Sequence, residues 1–212
     1  MAHLGLTITD VTHWFDHSLV VAADYRVPDA AHVWPTRAGG PLPELGAHHV
    51  VVYTGAGDPQ RVLAIAALSE REPLLEVLRS PAFMDWFDAA GVQDIPALFA
   101  GELIERIDFD PREEPEVPQV VAALVTPVAG LSALGARIRS ADLPAAGVRK
   151  VLVFSAFDNP REVMMLFHIN DARSTADWLT HSPTTVDWLQ QAGVGAYPPL
   201  FVGRYQHMLR RA

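Results

Sequence analysis

Residues 158–169, Asp158-Asn159-Pro160-Arg161-Glu162-Val163-Met164-Met165-Leu166-Phe167-His168-Ile169, have a counterpart about one hundred residues earlier, and that pairing decides the fold. At a shift of 101, Pro160 falls on Pro59 and Val163 on Val62. Working outward at the same shift, Val20 meets Val121, Val27 meets Val128, Val50 meets Val151 and Val52 meets Val153. Leu42-Pro43 with Gly46 likewise meets Leu143-Pro144 with Gly147. One residue is gained near Ser174, and at 102 Ser80-Pro81 meets Ser182-Pro183, Asp85-Trp86 meets Asp187-Trp188, and Ala90-Gly91-Val92 meets Ala192-Gly193-Val194. Leu98-Phe99 with Gly101 then meets Leu200-Phe201 with Gly203.

Both halves read alike. In the second, apolar runs at 120–125, 150–154, 162–169 and 200–207 are bounded by turn residues and predict strands, with a short helix over 131–140. A further helix broken at Ser182-Pro183 ends at Gly193. The first half predicts strands at 19–25, 49–53, 61–68 and 99–107, a weak helix around 29–34, and a helix presenting Phe83, Trp86, Phe87 and Ala90 on one face. The order is βαββαβ twice. Such a unit puts both helices on one face of an antiparallel sheet. Runs such as Val62-Leu63-Ala64-Ile65-Ala66-Ala67-Leu68 are apolar on both faces, so the bare face needs a cover, and the other half is nearest. The expectation is an α+β fold in which two ferredoxin-like sheets pack face to face and close into an eight-stranded barrel with helices outside. Repeats over 1–110 (with an extension at 1–17) and 119–212 flank a proline- and acid-rich linker at 111–118.

The stretch 158–171, followed by Ser182-Pro183 and Ala192-Gly193-Val194, resembles the dimeric α/β-barrel superfamily. This ferredoxin-like group includes antibiotic-biosynthesis monooxygenases, haem-degrading monooxygenases and small lactone isomerases. The resemblance spans most of both halves and implies the fold rather than a reaction. Haem-degrading relatives carry a histidine on the second helix, where this chain has Phe87 and Leu189. They also carry a tryptophan ending the third strand, where Leu68 and Ile169 stand, and an asparagine on the first strand, where there is none. The resemblance therefore implies neither haem nor an Asn/Trp/His oxygenase site, and no cofactor is expected.

Composition narrows the function classes. The 212 residues are 50% hydrophobic and 19% charged, with no cysteine, which excludes disulfide scaffolds, thiolate catalysis and Cys-ligated metals. A net charge of −9 without a long basic run argues against nucleic acid. The apolar run at 120–136 is interrupted by Thr126, Pro127 and Ser132, which argues against a membrane span, and the N-terminus lacks a secretory pattern, so a cytoplasmic monomer or homodimer is expected. No Gly-x-Ser-x-Gly, His-Glu-x-x-His or P-loop pattern occurs, and Gly55-Ala56-Gly57 runs into Asp58-Pro59 as a hairpin turn.

The remaining candidates are isolated side chains. The single lysine, Lys150, begins a strand and reads as a solvated strand end. His13 and His17 with Asp16 form a two-ligand surface pair at most, and His48-His49 point to opposite faces, so no metal is assigned. His168 interrupts an apolar strand whose counterpart carries Ala67. It reads as a neutral core histidine bonded to a backbone carbonyl, Tyr205 or Arg204, or else as a general base. Trp86 and Trp188 match across the repeat, as core residues would. Tyr25, Trp34 and Trp178 break the repeat and are candidate pocket residues, between one sheet and its helices in one half, together with Phe167 and Tyr205. Glu113-Glu114 read as a solvated tether.

Three functions stay open from sequence. The first is binding of a small hydrophobic or aromatic metabolite. The second is a cofactor-independent monooxygenase or cyclase/isomerase acting on a polyketide-like or lactone substrate, with His168, Tyr25 or Tyr205 moving the proton. The third is a non-catalytic scaffold.

Overall fold

The computed structural model describes residues 19–28, 47–68, 95–110, 118–128, 130–131, 134–173 and 200–210, together with 78, 79, 81, 85, 87, 88, 91 and 92. Eight strands form in it: β1 (Leu19–Arg26), β2 (Ala47–Gly55), β3 (Arg61–Leu68), β4 (Ala97–Asp108), β5 (Val120–Pro127), β6 (Val148–Ala156), β7 (Glu162–Ile169) and β8 (Leu200–Arg210). The bounds of β1, β2 and β3 reappear in β5, β6 and β7 at the 101-residue shift. The strands that set the fold are therefore placed alike in both halves.

They close into one antiparallel barrel in the order β1-β3-β2-β8-β5-β7-β6-β4, with β4 returning to β1. Each half contributes its strands in the sequence fourth, first, third, second. The halves do not stack as two separate sheets. They join edge to edge through β2 with β8 and β4 with β6, so no strand edge is left unpaired in the barrel. Register irregularities recur at matching places, at Ala47/His49 and Val148/Lys150, and again within the β2–β8 and β4–β6 seams. Such bulges add the local bend and twist a closed barrel needs.

Both hairpin turns are built alike. Asp58 Oδ1 accepts from the Gln60 N–H at 3.1 Å, and Asn159 Oδ1 accepts from the Arg161 N–H at 3.1 Å. The aspartate or asparagine side chain replaces a backbone acceptor and fixes the turn before β3 and β7.

Alternation along the strands sorts their side chains into inside and outside. Inward positions from all eight strands, among them Val20, Val51, Ile65, Val121, Leu152 and Leu166, form one buried cluster in the lumen. Outward positions form two further clusters, one per half. On the second half, Val163, Met165 and Phe167 meet Leu134 and Ile138 of helix α1 (Leu134–Ser140). Arg137 and Arg139 complement the carbonyl end of α1, and Arg139 pairs with Glu105 of β4 at 2.6 Å. After α1, one 3-10 turn over Pro144–Ala146 ends at Gly147, whose φ of 81° lies in the left-handed region; this accounts for the Leu-Pro…Gly motif before β6. On the first half the outer face packs against Phe87, and residues 78, 81, 85, 87 and 88 have helical backbone. The expected helix around 29–34, residues 174–199 after β7, linker residues 111–117, His13, His17 and all five tryptophans lie outside the described residues.

Candidate functional site

The strands run alternately up and down the barrel. One end, here the upper, is where β1 and β5 finish and β3, β4, β7 and β8 begin. The lumen is filled through its middle by Tyr53, Phe154 and Leu166, each almost fully buried. Above them the inward positions turn small, with Ala22 on β1 and Ala123 on β5, and a cavity of about 350 Å³ opens. That volume suits a small organic ligand.

Leu63 and Phe99 complete the first half's wall of this cavity, and Val125, Met164 and Phe201 the second half's. Phe99 and Phe201 occupy equivalent places, and each ring crowds the glycine two residues on, Gly101 and Gly203. Only a residue without a Cβ leaves room there for the ring to lie along the wall. From sequence, a pocket was expected between one sheet and its helices, in one half. The cavity lies inside the barrel and both halves wall it, because edge-to-edge closure makes the lumen a shared space.

Two polar residues reach the cavity, Asp24 and Glu162. Asp24 is held in a forked ion pair by Arg61, with Nε to Oδ1 at 3.0 Å and Nη2 to Oδ2 at 2.5 Å. Arg61 Nη1 donates to the Leu200 carbonyl at 2.8 Å, and its guanidinium lies 5.3 Å from the Phe201 ring centroid. Arg61 thus ties β1, β3 and β8 together at the upper rim. Glu162 stands at the equivalent position in the other half, and Val125 stands where Asp24 would be. Among the described residues the Glu162 carboxylate has no ion pair or hydrogen bond.

The residues singled out from sequence do not gather at this cavity. Tyr25 is buried on the outer face, edge-on to Phe87 with centroids 5.5 Å apart, and desolvation holds its hydroxyl well above the ordinary tyrosine range. Phe167 is buried on the outer face of the second half. Tyr205 is in the lumen, edge-on to Tyr53 at 6.4 Å, below the cavity. His168 also takes an inward position, at 5% exposure, toward the lower end and opposite Val121 and Lys150 in register. Trp34 and Trp178 lie outside the described residues. Lys150 departs from its expected solvated strand end: it is 5% exposed, with Nζ 3.6 Å from Asp108 Oδ1. Its reach is inward because it shares the parity of Leu152 and Phe154 along β6, the bulge at Val148/Lys150 turning Val148 to the outer face instead. Arg106, inward and paired with Asp108 at 2.7 Å, completes a polar rim at the lower end.

Sequence reasoning missed Asp24, Arg61 and Glu162. Their signal was present, as charged residues at inward parity in otherwise apolar strands, but parity could be assigned only once the barrel's inside was known. Among the described residues no group of three or more histidines and carboxylates is placed to hold a metal ion, and no helix is long and apolar enough to cross a membrane.

No protein-family model and no curated protein matches the sequence. Solved structures do match. An anthrone oxidase-like protein superposes with a TM-score of 0.67 at 14% identity, over 92% of this chain and 94% of that one. A monooxygenase candidate from Fusobacterium nucleatum subsp. nucleatum ATCC 25586 gives 0.53 at 9% identity, over 91% and 94%. A chlorite dismutase candidate gives 0.50 at 11% identity, over 89% and 94%. At these identities the likeness is one of fold. The chain therefore shares the fold of these structures, in keeping with the resemblance read from its sequence.

Proposed function

We propose that the protein is a tandem of two ferredoxin-like βαββαβ repeats, divided at 111–118, that binds a small hydrophobic or aromatic molecule in the upper lumen. The observation that carries this reading is the cavity of about 350 Å³ with predominantly apolar walls supplied by both halves. Burial of flat apolar surface there supplies the driving force, and Phe99 and Phe201 offer ring edges or faces to an aromatic guest. The anthrone oxidase-like neighbour is consistent with a fused-ring ligand. The protein is read as a cytoplasmic monomer or homodimer.

Filling the cavity tests this. Ala123→Phe places a ring in the empty space, and the variant is expected to lose binding of 2-naphthol in calorimetric titration while its far-UV circular dichroism stays that of the barrel. Wild-type melting temperature should rise with added 2-naphthol and that of the variant should not. Equal binding by both would overturn the reading.

The enzymatic alternative, a cofactor-independent monooxygenase or a cyclase/isomerase, is favoured by one observation: His168 is a buried inward imidazole in the same lumen. There it would act as general base, and a substrate could reach it from the cavity only with the Tyr53, Phe154 and Leu166 side chains displaced from the middle of the lumen. Loss of turnover in His168→Gln with unchanged melting temperature supports that alternative, and retained turnover removes it.

A further inference from the structure

We infer that Glu162 sets the class of ligand admitted to the lumen: a ring system presenting a hydroxyl or an ammonium at the mouth, with anions turned away. This rests on the cavity being the binding site and adds what recognises the ligand's polar end.

The two halves differ in charge at this rim. In the first half the acid is answered, since Arg61 gives Asp24 two hydrogen bonds and spends a third donor on the Leu200 carbonyl. In the second half the equivalent positions hold Glu162 and Val125. Glu162 is half-buried and lines the cavity, and Val125 beside it offers no donor. Its strand neighbour in register is Pro127, which has no N–H to give. A partly desolvated carboxylate in this position lacks the hydrogen bonds that ordinarily offset its burial. A donor carried in by a ligand would supply them, and a charged acceptor makes that bond strong.

Charge points the same way. Asp24, Arg61 and Glu162 together leave the mouth one unit negative, on a chain whose net charge is −9. The field opposes entry of a carboxylate or phosphate and favours a neutral donor or a cation. Among the described residues Arg61 is the one guanidinium in hydrogen-bond contact with a cavity-lining acid, and its charge is already taken by Asp24.

Four probes sharing one ring system separate the terms: 2-naphthol, 2-methoxynaphthalene, 2-naphthoate and 2-naphthylmethylammonium, titrated calorimetrically at low ionic strength into the wild-type chain and Glu162→Gln. The wild type is expected to bind the ammonium and the naphthol about tenfold more tightly than the methoxy compound, with naphthoate weakest. In Glu162→Gln the ammonium should lose that advantage, naphthoate should gain, and the methoxy compound should bind as before. Melting temperature should be unchanged, since the Glu162 side chain makes no hydrogen bond or ion pair among the described residues. A wild type that binds the methoxy compound as well as the naphthol, or a variant that keeps the wild-type ranking, overturns the role of Glu162 while leaving the cavity as a site. Binding of none of the four overturns the cavity reading and this one with it.

Discussion

The ring of Phe201 covers Gly203, two residues along the same inward face of β8, so closely that a Cβ at Gly203 would overlap it. A Cβ there would also come within 2.8 Å of the Thr54 carbonyl on β2. Phe99 and Gly101 repeat the relationship on β4, where an added Cβ would meet the ring at 2.8 Å and run into the Ser155 carbonyl. In both cases one of the blocking atoms is backbone of a neighbouring strand, which cannot swing aside. Gly203→Ala and Gly101→Ala are each expected to destabilise the barrel by about 1–3 kcal/mol, read from urea unfolding midpoints. Displacing either ring into the lumen should also weaken 2-naphthol binding. A midpoint unchanged in both variants would show that neither the rings nor the neighbouring strands are held as closely as the structure places them.

Arg61 holds three strands with one planar group, and the geometry rather than the charge is what matters. Arg61→Lys keeps the charge but cannot make the two-pronged contact to Asp24 together with the Leu200 contact. It is expected to cost about 1 kcal/mol, and Arg61→Ala somewhat more, the pair being roughly a quarter exposed and so partly screened. Thermal unfolding of the two variants side by side checks the order. Equal stability of Arg61→Lys and wild type would mean that charge alone suffices.

Strand positions were legible because apolar runs are punctuated by turn residues. The spans 61–68 and 162–169 expected from sequence coincide with β3 and β7. The other strands extend only one to three residues beyond the expected ends. The cavity was not legible, since β3 and β7 are apolar on both faces and give no sign of which face meets the lumen. Tyr25 shows the consequence. It breaks the repeat, as a pocket residue would, yet the break accommodates Phe87 on the outside of the barrel. Lys150 is the converse case, a charge read from sequence as a solvated strand end that lies inward at the parity of Leu152 and Phe154. Such facts depend on barrel closure, which no local pattern encodes.

Tyr53 and Tyr25 make the fold sensitive to alkali. Burial raises the Tyr53 hydroxyl well above its ordinary value of 10.0, and the neighbouring Tyr205 raises it further; burial alone raises Tyr25. The folded-state values lie above those of the unfolded chain. The stabilisation is therefore full below about pH 10 and is lost as pH climbs beyond it, because only the unfolded chain then releases these protons. Phenolate absorbance of Tyr53 and Tyr25 is expected to appear together with loss of circular dichroism in one cooperative step. Tyr53→Phe should shift that step to higher pH. Smooth titration of all four tyrosines near pH 10 with the fold intact would contradict their burial.

Met164 and Met165 are neighbours in sequence on opposite sides of the β7 wall, the first lining the cavity and the second buried outside against α1 and its surroundings. Their methyl resonances, in protein labelled with 13C at the methionine methyl and assigned by Met164→Leu and Met165→Leu, report on the two spaces separately. With 2-naphthol added, ring-current shifts are expected at Met164 and not at Met165. Movement of Met165 with Met164 unchanged, or saturable binding that moves neither, would contradict a ligand site in the lumen.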